Sequence, residues 1–189
     1  MTEKEKILIV VDMQHDFVDG SLGSPEAQAI VPKIEEKIRS GEYSGILCTL
    51  DTHDSNYLQS LEGQKLPVEH CIKGTKGWEL AINIDGYYST VEKKTFGLCN
   101  LIGAISGVID EIEIREDLCE EIYYYDLEFE ICGLCTDICV VSNALILKAY
   151  LPNNKIVCDA SCCAGTTPEA HKAALTVMKS CQIDVINEE

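Results

Sequence analysis

The sequence predicts an α/β fold built on a parallel sheet. Short β-branched apolar runs alternate with longer segments of helical periodicity, and strands joined by helices pair in parallel through right-handed crossovers. The continuous apolar run Ile7–Val11 is typical of a strand that is buried on both faces. Within residues 25–39, Ile30, Ile34 and Ile38 recur every four residues, which is the spacing of one helix face.

The remaining elements continue this alternation. Further strands are predicted at Gly45–Leu50, Tyr88–Lys93, Leu127–Cys132, Lys155–Cys158 and Ile183–Ile186. Further helices are predicted at residues 137–150 and Pro168–Ser180, and we expect a helix without defined bounds within residues 97–126. The chain has 189 residues, of which 46% are apolar, and this suits one globular domain over residues 1–189.

The composition excludes several classes of partner. The formal net charge is −17, so nucleic acid and anionic membrane surfaces would repel the chain. No segment approaches the roughly 20 apolar residues of a membrane span, and the charged opening Met1–Lys6 does not read as a secretory signal. The 11 cysteines therefore predict free thiols in a reducing, cytoplasmic compartment rather than a disulfide framework.

Four side chains that could take part in catalysis or binding lie at or just after the ends of predicted strands. Asp12 follows the first strand and Asp51 the second, Lys93 ends the third, and Cys139 follows the fourth. Ligand sites of open parallel sheets lie outside the carboxyl ends of the strands. We therefore expect these four side chains to meet in one crevice.

Cys139 is the candidate nucleophile. Thr136 is a good N-cap for the helix that follows, and Cys139 would then be the third residue of that helix. The free N–H groups and the positive end of the helix dipole would lower the pKa of the thiol and could bind an oxyanion. The alternative is a buried structural thiol, which is the interpretation we adopt for the other ten cysteines.

Asp12 is the candidate base. It follows five apolar residues, and burial raises the pKa of a carboxyl group, which suits a group that takes and returns a proton. A helix or loop cap is the alternative for Asp12. Lys93 is one of two adjacent lysines, and taken alone it would be interpreted as an ordinary surface residue.

Asp51, His53 and His70 are candidate metal ligands. One carboxylate and two imidazoles suit zinc, iron or manganese, and Asp51 and His53 are two apart, so in an extended segment they project to the same side. A capped loop beside two unrelated histidines explains the same pattern. The residues alone leave both interpretations open.

The combination of motifs resembles the isochorismatase-like cysteine hydrolases over nearly the whole chain. ILIVVDMQHDFVDGSLG is similar to the family's first strand and catalytic aspartate, here Asp12, and GLCTDICV is similar to its nucleophile motif, here Cys139. TVEKKTF is similar to the segment of the family's lysine, which we assign to Lys93 with Lys94 as the second choice. DASCCAGTTPEAHKAAL matches the last strand and helix. The resemblance implies a six-stranded parallel sheet between two layers of helices.

The resemblance also implies further features of the site. A cis peptide is expected at Leu134–Cys135, with the backbone N–H groups of Cys135 and Cys139 forming an oxyanion hole. Phe17 is expected to line the pocket for a small-molecule amide substrate. Members of this family are often oligomeric, which leaves a homo-oligomer open.

Within the family, the chain is most similar to nicotinamidases. LDTH and VEHCIKGTKGWEL resemble the segments that supply their metal ligands, which implies a divalent zinc, iron or manganese ion on Asp51, His53 and His70. Nicotinamidases usually carry a further His a few residues after the first, whereas this chain reads Asp-Ser-Asn-Tyr there. Asn56, Tyr57 or a water molecule is expected in its place.

The sequence therefore predicts a hydrolase that cleaves a small amide through a Cys139 thioester, with nicotinamide to nicotinate plus ammonia as the best single reaction. One alternative is metal-independent hydrolysis of another small C–N substrate, such as an N-carbamoyl or ureido compound. Another alternative belongs to a different class: a thiol-rich metal or redox buffer, or an inert binding protein. The scattered cysteines disfavour the buffer, and the intact Asp, Lys and Cys set disfavours the binding protein.

Overall fold

Six parallel strands form one sheet in the computed structural model, which describes residues 5–116, 124 and 127–188. In chain order the strands are β1 (Lys6–Val11), β2 (Gly45–Asp51), β3 (Ser89–Lys93), β4 (Glu128–Leu134), β5 (Ile156–Ala164) and β6 (Asp184–Ile186). Their order across the sheet is β3-β2-β1-β4-β5-β6, and every neighbouring pair is parallel. The predicted α/β class with a six-stranded parallel sheet is confirmed.

Helices connect the strands and flank the sheet. They are α1 (His15–Val18), α2 (Pro25–Arg39), α3 (Leu61–Lys65), α4 (Leu101–Glu116), α5 (Val141–Tyr150) and α6 (Pro168–Ser180). Short 3₁₀ turns lie at Tyr57–Gln59 and Lys76–Trp78, and a π-helical turn at Thr136–Val140 leads into α5. α2 packs on β4 and β5, whereas α4, α5 and α6 contact one another in series. The result is a three-layer α/β/α arrangement.

β1 and α2 show how the apolar pattern becomes structure. Ile7–Val11 are fully buried, because β1 is a central strand with neighbours on both sides. The side chain of Ser24 caps the first turn of α2 by accepting a backbone hydrogen bond. The periodic isoleucines of this helix then face the core and are buried: Ile30, Ile34 and Ile38.

The direction in which the sheet grows reverses between β1 and β4. β2 and β3 extend from one side of β1, and the chain then returns to add β4 on the other side. Such a switch point opens a crevice beyond the carboxyl ends of the two central strands. Gly133 allows their close approach, because its φ is +119° and a Cβ atom there would lie 2.1 Å from the carbonyl oxygen of Val11. The segments that follow β1 and β4 therefore face each other across this crevice.

Some element boundaries differ from the prediction. β5 continues to Ala164 instead of ending at Cys158, and its pairing with β4 shifts register through a bulge that the apolar pattern does not reveal. Asp51 is the last residue of β2 rather than the first after it. The helix expected within residues 97–126 is α4, while residues 117–123 and 125–126 lie outside the described part.

The cysteines of the described residues are free thiols, as predicted. All ten cysteines within the described ranges are free, and Cys119 lies outside those ranges. Among the helices of the same ranges, none combines the length and the apolar character needed to cross a bilayer.

Candidate active site

Lys93 lies at the centre of the candidate site. Its Nζ atom is 2.7 Å from Oδ2 of Asp12, 3.2 Å from Oδ1 of Asp51 and 3.4 Å from Sγ of Cys139. Burial opposes the charge on this fully buried amine, but the carboxylates and the thiol around it hold its pKa above the ordinary lysine value. All four side chains expected in one crevice are therefore brought together, whereas Lys94, the second choice, is exposed.

Asp12 is held in place by the neighbouring strand. Its backbone N–H donates to the carbonyl oxygen of Thr49 at 3.1 Å, and the Thr49 hydroxyl donates to Oδ1 of Asp12 at 2.6 Å. The residue has a φ of +49°, a conformation that residues other than glycine adopt mainly where the surroundings impose it. Burial raises the pKa of the Asp12 carboxyl, Lys93 opposes that effect, and Asp51 adds to it. The carboxylate therefore accepts a proton more readily than an exposed aspartate.

The local structure around Cys139 differs from the prediction. Cys135, not Thr136, is the N-cap, so Cys139 is the fourth residue of the π-helical turn, and the Thr136 hydroxyl instead pairs with Nδ1 of His171 at 2.8 Å. The predicted lowering of the thiol pKa is wrong. Burial, followed by the charge of Asp12, raises the pKa of the Cys139 thiol well above its ordinary value, although Lys93 acts in the opposite direction. This environment favours the neutral thiol, so attack by the sulfur would need a base to take its proton.

The segment before Cys139 has the backbone geometry that the resemblance implies. The Leu134–Cys135 peptide is cis, and the carbonyl oxygen of Cys135 accepts hydrogen bonds from the N–H groups of Ile138 and Val140 at 3.0 and 3.1 Å. Burial raises the pKa of the Cys135 thiol to about 12, and it is Cys139, not Cys135, whose sulfur contacts Lys93. The assignment of the Cys135 and Cys139 N–H groups to an oxyanion hole stays a prediction.

The three candidate metal ligands form a compact cluster. One ligand atom from each of Asp51, His53 and His70 can be chosen so that all lie within 4.8 Å of one another. Nε2 of His53 is 3.0 Å and Nε2 of His70 is 3.7 Å from Oδ2 of Asp51. Burial opposes ionisation of Asp51, but contact with His53 and the charge of Lys93 hold its pKa below the usual range. The carboxylate is therefore available in its charged, ligating form.

The chemistry of this donor set fits a divalent transition metal. Nδ1 of His70 donates to the carbonyl oxygen of Val68 at 2.8 Å, which leaves the lone pair of a neutral ring on Nε2, the atom that faces Asp51. Glu62 was missed in the sequence, yet its Oε1 atom lies 3.9 Å from Nε2 of both His53 and His70. Glu62 lies on α3, nine residues after His53 and eight before His70, and this spacing does not indicate a metal ligand in the sequence.

The residues expected in place of the missing histidine have other roles. The Tyr57 ring packs on His53 and His70 with centroid distances of 4.6 and 4.9 Å, and its hydroxyl donates to the carbonyl oxygen of Leu66 at 3.0 Å. Asn56 is exposed and precedes a 3₁₀ turn. The Tyr57 hydroxyl is thus engaged with Leu66, whereas the carboxylate of Glu62 approaches Nε2 of both imidazoles.

Gln14, the N-cap of α1, and Asp16, within α1, hold the backbone of the site. Fully buried Gln14 donates to the carbonyl oxygens of Asp51 and Trp78 at 2.9 and 2.8 Å and accepts from the Asp51 N–H at 2.7 Å. Asp16 accepts from the N–H of Cys71 at 2.8 Å, next to the candidate ligand His70. Gln14, His15 and Asp16 are consecutive polar residues in the sequence, but these hydrogen-bond partners of Gln14 and Asp16 lie 37 to 64 residues further along the chain, and only the fold reveals them.

A cavity of about 760 Å³ borders these groups. Asp51, His70, Cys135 and Cys139 are among its lining residues. Phe17 lines the wall, as the resemblance implies, with its ring centroid 5.4 Å from that of His70. Cys139 and two of the three candidate ligands, Asp51 and His70, therefore border the same cavity.

The chain is similar to known proteins along most of its length. A family model described as the isochorismatase domain matches residues 6–189. The isochorismatase family protein PncA of Bacillus subtilis (strain 168) is 31% identical over 182 residues, which cover 91% of this chain and 93% of that protein.

Solved structures share the fold. The pyrazinamidase of Pyrococcus horikoshii in complex with zinc superposes with a TM-score of 0.73 at 26% identity, over 97% of this chain and 99% of that chain. The N-carbamoylsarcosine amidase from Thermoplasma acidophilum superposes with a TM-score of 0.67 at 21% identity, over 96% of this chain and 95% of that chain, and supports the fold alone. With a family match that reaches from β1 to the last residue, the chain belongs to the isochorismatase family of hydrolases.

Proposed function

We propose that the protein hydrolyses a small carboxamide through a thioester on Cys139, with nicotinamide to nicotinate plus ammonia as the preferred reaction. The observation that carries this proposal is the buried ammonium of Lys93 in contact with both the Cys139 sulfur and the Asp12 carboxylate. A thiol, a base and a cation in mutual reach are the groups that nucleophilic attack on a carbonyl requires. Family membership and the likeness to a zinc-bound pyrazinamidase support the substrate class.

The first chemical step moves one proton inside the site. As Sγ of Cys139 attacks the amide carbon, the thiol proton passes to Asp12, whose raised pKa favours its acceptance. Negative charge leaves the carboxylate and develops on the attacked oxygen, while the Lys93 ammonium stays paired. The net charge of the buried group is unchanged, so the step avoids isolating a charge in a medium of low polarity.

The second half of the reaction returns the same proton. Asp12 donates it to the amide nitrogen, the C–N bond breaks, ammonia leaves, and the acyl group remains on Sγ of Cys139. Water then attacks the thioester, Asp12 takes a proton from it, and that proton passes to the sulfur as the acid is released. We assign oxyanion stabilisation to the N–H groups of Cys135 and Cys139, and contact with an aromatic ring to Phe17, which lines the cavity.

Asp51, His53 and His70, with Glu62 as a fourth group, would hold a divalent zinc, iron or manganese ion. Such an ion supplies Lewis-acid chemistry, which suits anchoring a ring nitrogen of the substrate and polarising a bound water. Asp51 directs one oxygen to Lys93 and the other to His53. This carboxylate therefore links the ligand cluster to the thiol and its base.

Cys139→Ala should fold normally and lose essentially all ammonia release, because Cys139 is the cavity-lining thiol that contacts Lys93. The measurement is ammonia release from a panel of small amides that includes nicotinamide, with circular dichroism to verify folding. Cys99→Ala, at an exposed cysteine, is the matched control and should behave as wild type. The assignment of the nucleophile is wrong if Cys135→Ala abolishes turnover and Cys139→Ala does not.

Asp12→Asn should keep the shape of the site but remove the base, and turnover should fall by roughly 10²–10⁴-fold. In wild type, activity should be lost as pH falls through the raised pKa of Asp12, because protonation occupies the base. The residual activity of the variant should not show this loss at low pH. Asp19→Asn, at an exposed carboxylate beside His15, is the control. Near-normal turnover in Asp12→Asn would show that another group activates Cys139.

His53→Ala and His70→Ala should each reduce the content of zinc, iron or manganese, measured by elemental analysis, and should weaken substrate binding more than folding. His15→Ala, at a histidine outside the cluster, is the control. Burial would lower the pKa of His53, but its contact with Asp51 raises it, so protons should displace the metal as the pH falls towards and below about 6.5.

A separate result would contradict the assignment of Asp51, His53 and His70 as metal ligands. If wild type binds none of the three metals, and adding them changes neither activity nor melting temperature, the ligand assignment fails. The metal-independent hydrolysis of an N-carbamoyl or ureido compound would then replace nicotinamide as the preferred reaction. The Cys139 mechanism would be unaffected, because none of its steps passes through the metal.

A further inference from the structure

The cavity beside Cys139 is far larger than a single-ring amide requires. Its volume is about 760 Å³, within the range of roughly 300–1,000 Å³ that is typical of sites for drug-sized ligands. A single-ring amide such as nicotinamide is much smaller than a drug-sized ligand. Besides the groups near the thiol, the lining includes the apolar side chains of Leu22, Ala27 and Ile138 and charged side chains such as Lys65 and Lys94.

Large apolar side chains also stand at the mouth of this cavity. Leu61 is 78% exposed, Phe96 is 51% exposed and Leu66 is 38% exposed, and all three line the cavity. Grouped apolar side chains that remain in water mark a place where an apolar partner gains free energy by covering them. We name these three residues the apolar rim.

The apolar rim is held firmly by buried contacts. The amide of fully buried Asn143 donates to the carbonyl oxygens of Phe96 and Cys139 at 3.3 and 2.8 Å, and its oxygen accepts from the N–H of Leu98 at 2.8 Å. The position of Phe96 is thereby tied to the helix that carries the nucleophile. A rim that is already positioned can bind a ligand without the entropic cost of ordering it.

A close backbone contact fixes the other side of the apolar rim. Gly63 packs so tightly on the preceding 3₁₀ turn that a Cβ atom there would lie 2.2 Å from the carbonyl oxygen of Tyr57. Ser60 caps α3 by accepting from the Gly63 N–H at 2.9 Å. Leu61, the first residue of α3, is therefore held at the mouth of the cavity.

We propose that this site takes aryl carboxamides whose ring carries an apolar extension, and that Leu61 and Phe96 bind the extension. The proposal rests on the amidase function proposed above and names the substrate class more closely. The carboxamide reaches the Cys139 thiol, the ring lies beside Phe17, and the extension fills the outer part of the cavity. Burying an apolar ring against the rim should raise kcat/KM by about tenfold or more.

The test compares nicotinamide with 5-phenylnicotinamide and 6-phenylnicotinamide by ammonia release from the metal-loaded enzyme. At least one phenyl compound should exceed nicotinamide in kcat/KM by about tenfold. Leu61→Ala and Phe96→Ala should each lower the ratio of the two kcat/KM values by several-fold. Leu58→Ala is the matched control, because Leu58 is 48% exposed on the neighbouring turn but does not line the cavity, and it should leave the ratio unchanged.

The outcomes separate this inference from the function on which it rests. If nicotinamide is hydrolysed and both phenyl compounds are poorer substrates, the extended substrate class is wrong and the amidase function stands. If a phenyl compound is preferred but neither rim variant changes the ratio, the role of Leu61 and Phe96 is wrong. If no amide in the set or in the wider panel releases ammonia, the proposed function fails and the inference fails with it.

Discussion

A buried ammonium has to be paired, and the pairing of Lys93 determines how the other groups of this site are placed. Its Nζ atom has no access to bulk water, and it contacts two carboxylates and a thiol that come from three other strand ends. Removing one partner of a buried ion pair typically costs about 3–5 kcal/mol, because the remaining charge is stranded. The ends of β1, β2 and β3 and the turn after β4 are thus held around one positive charge.

In the proposed mechanism, this pairing also accounts for nucleophilic attack by a thiol whose pKa is raised. Burial and the charge of Asp12 raise the pKa of the Cys139 thiol, and the charge of Lys93 lowers it. The same burial raises the pKa of Asp12, so the two groups are biased towards sharing one proton. Lys93 contacts both the Cys139 thiol, which gives the proton, and the Asp12 carboxylate, which accepts it. The positive charge of Lys93 therefore stays beside the negative charge throughout the transfer.

The architecture and the four strand-end residues could be predicted from the sequence, because apolar periodicity and strand order place side chains at one edge of a parallel sheet. The environment of Cys139 could not, because thiol acidity depends on burial and on charges that belong to other strands. Glu62 and Gln14 were missed for a related reason. They act on atoms of Asp51, His53 and His70 through contacts that only the folded loops create, and no spacing in the chain marks them.

The central claim is that substrate carbon becomes bonded to Cys139 during turnover. It is tested most directly by mixing the enzyme with a hydrolysable amide, quenching with acid at times within a single turnover, and mapping the peptides by mass spectrometry. The account predicts an increase equal to the acyl group on the peptide that carries Cys139, which rises and then decays as acid is released. An acyl group on a different residue, or single-turnover product formation with no peptide acylated at any time, would contradict it.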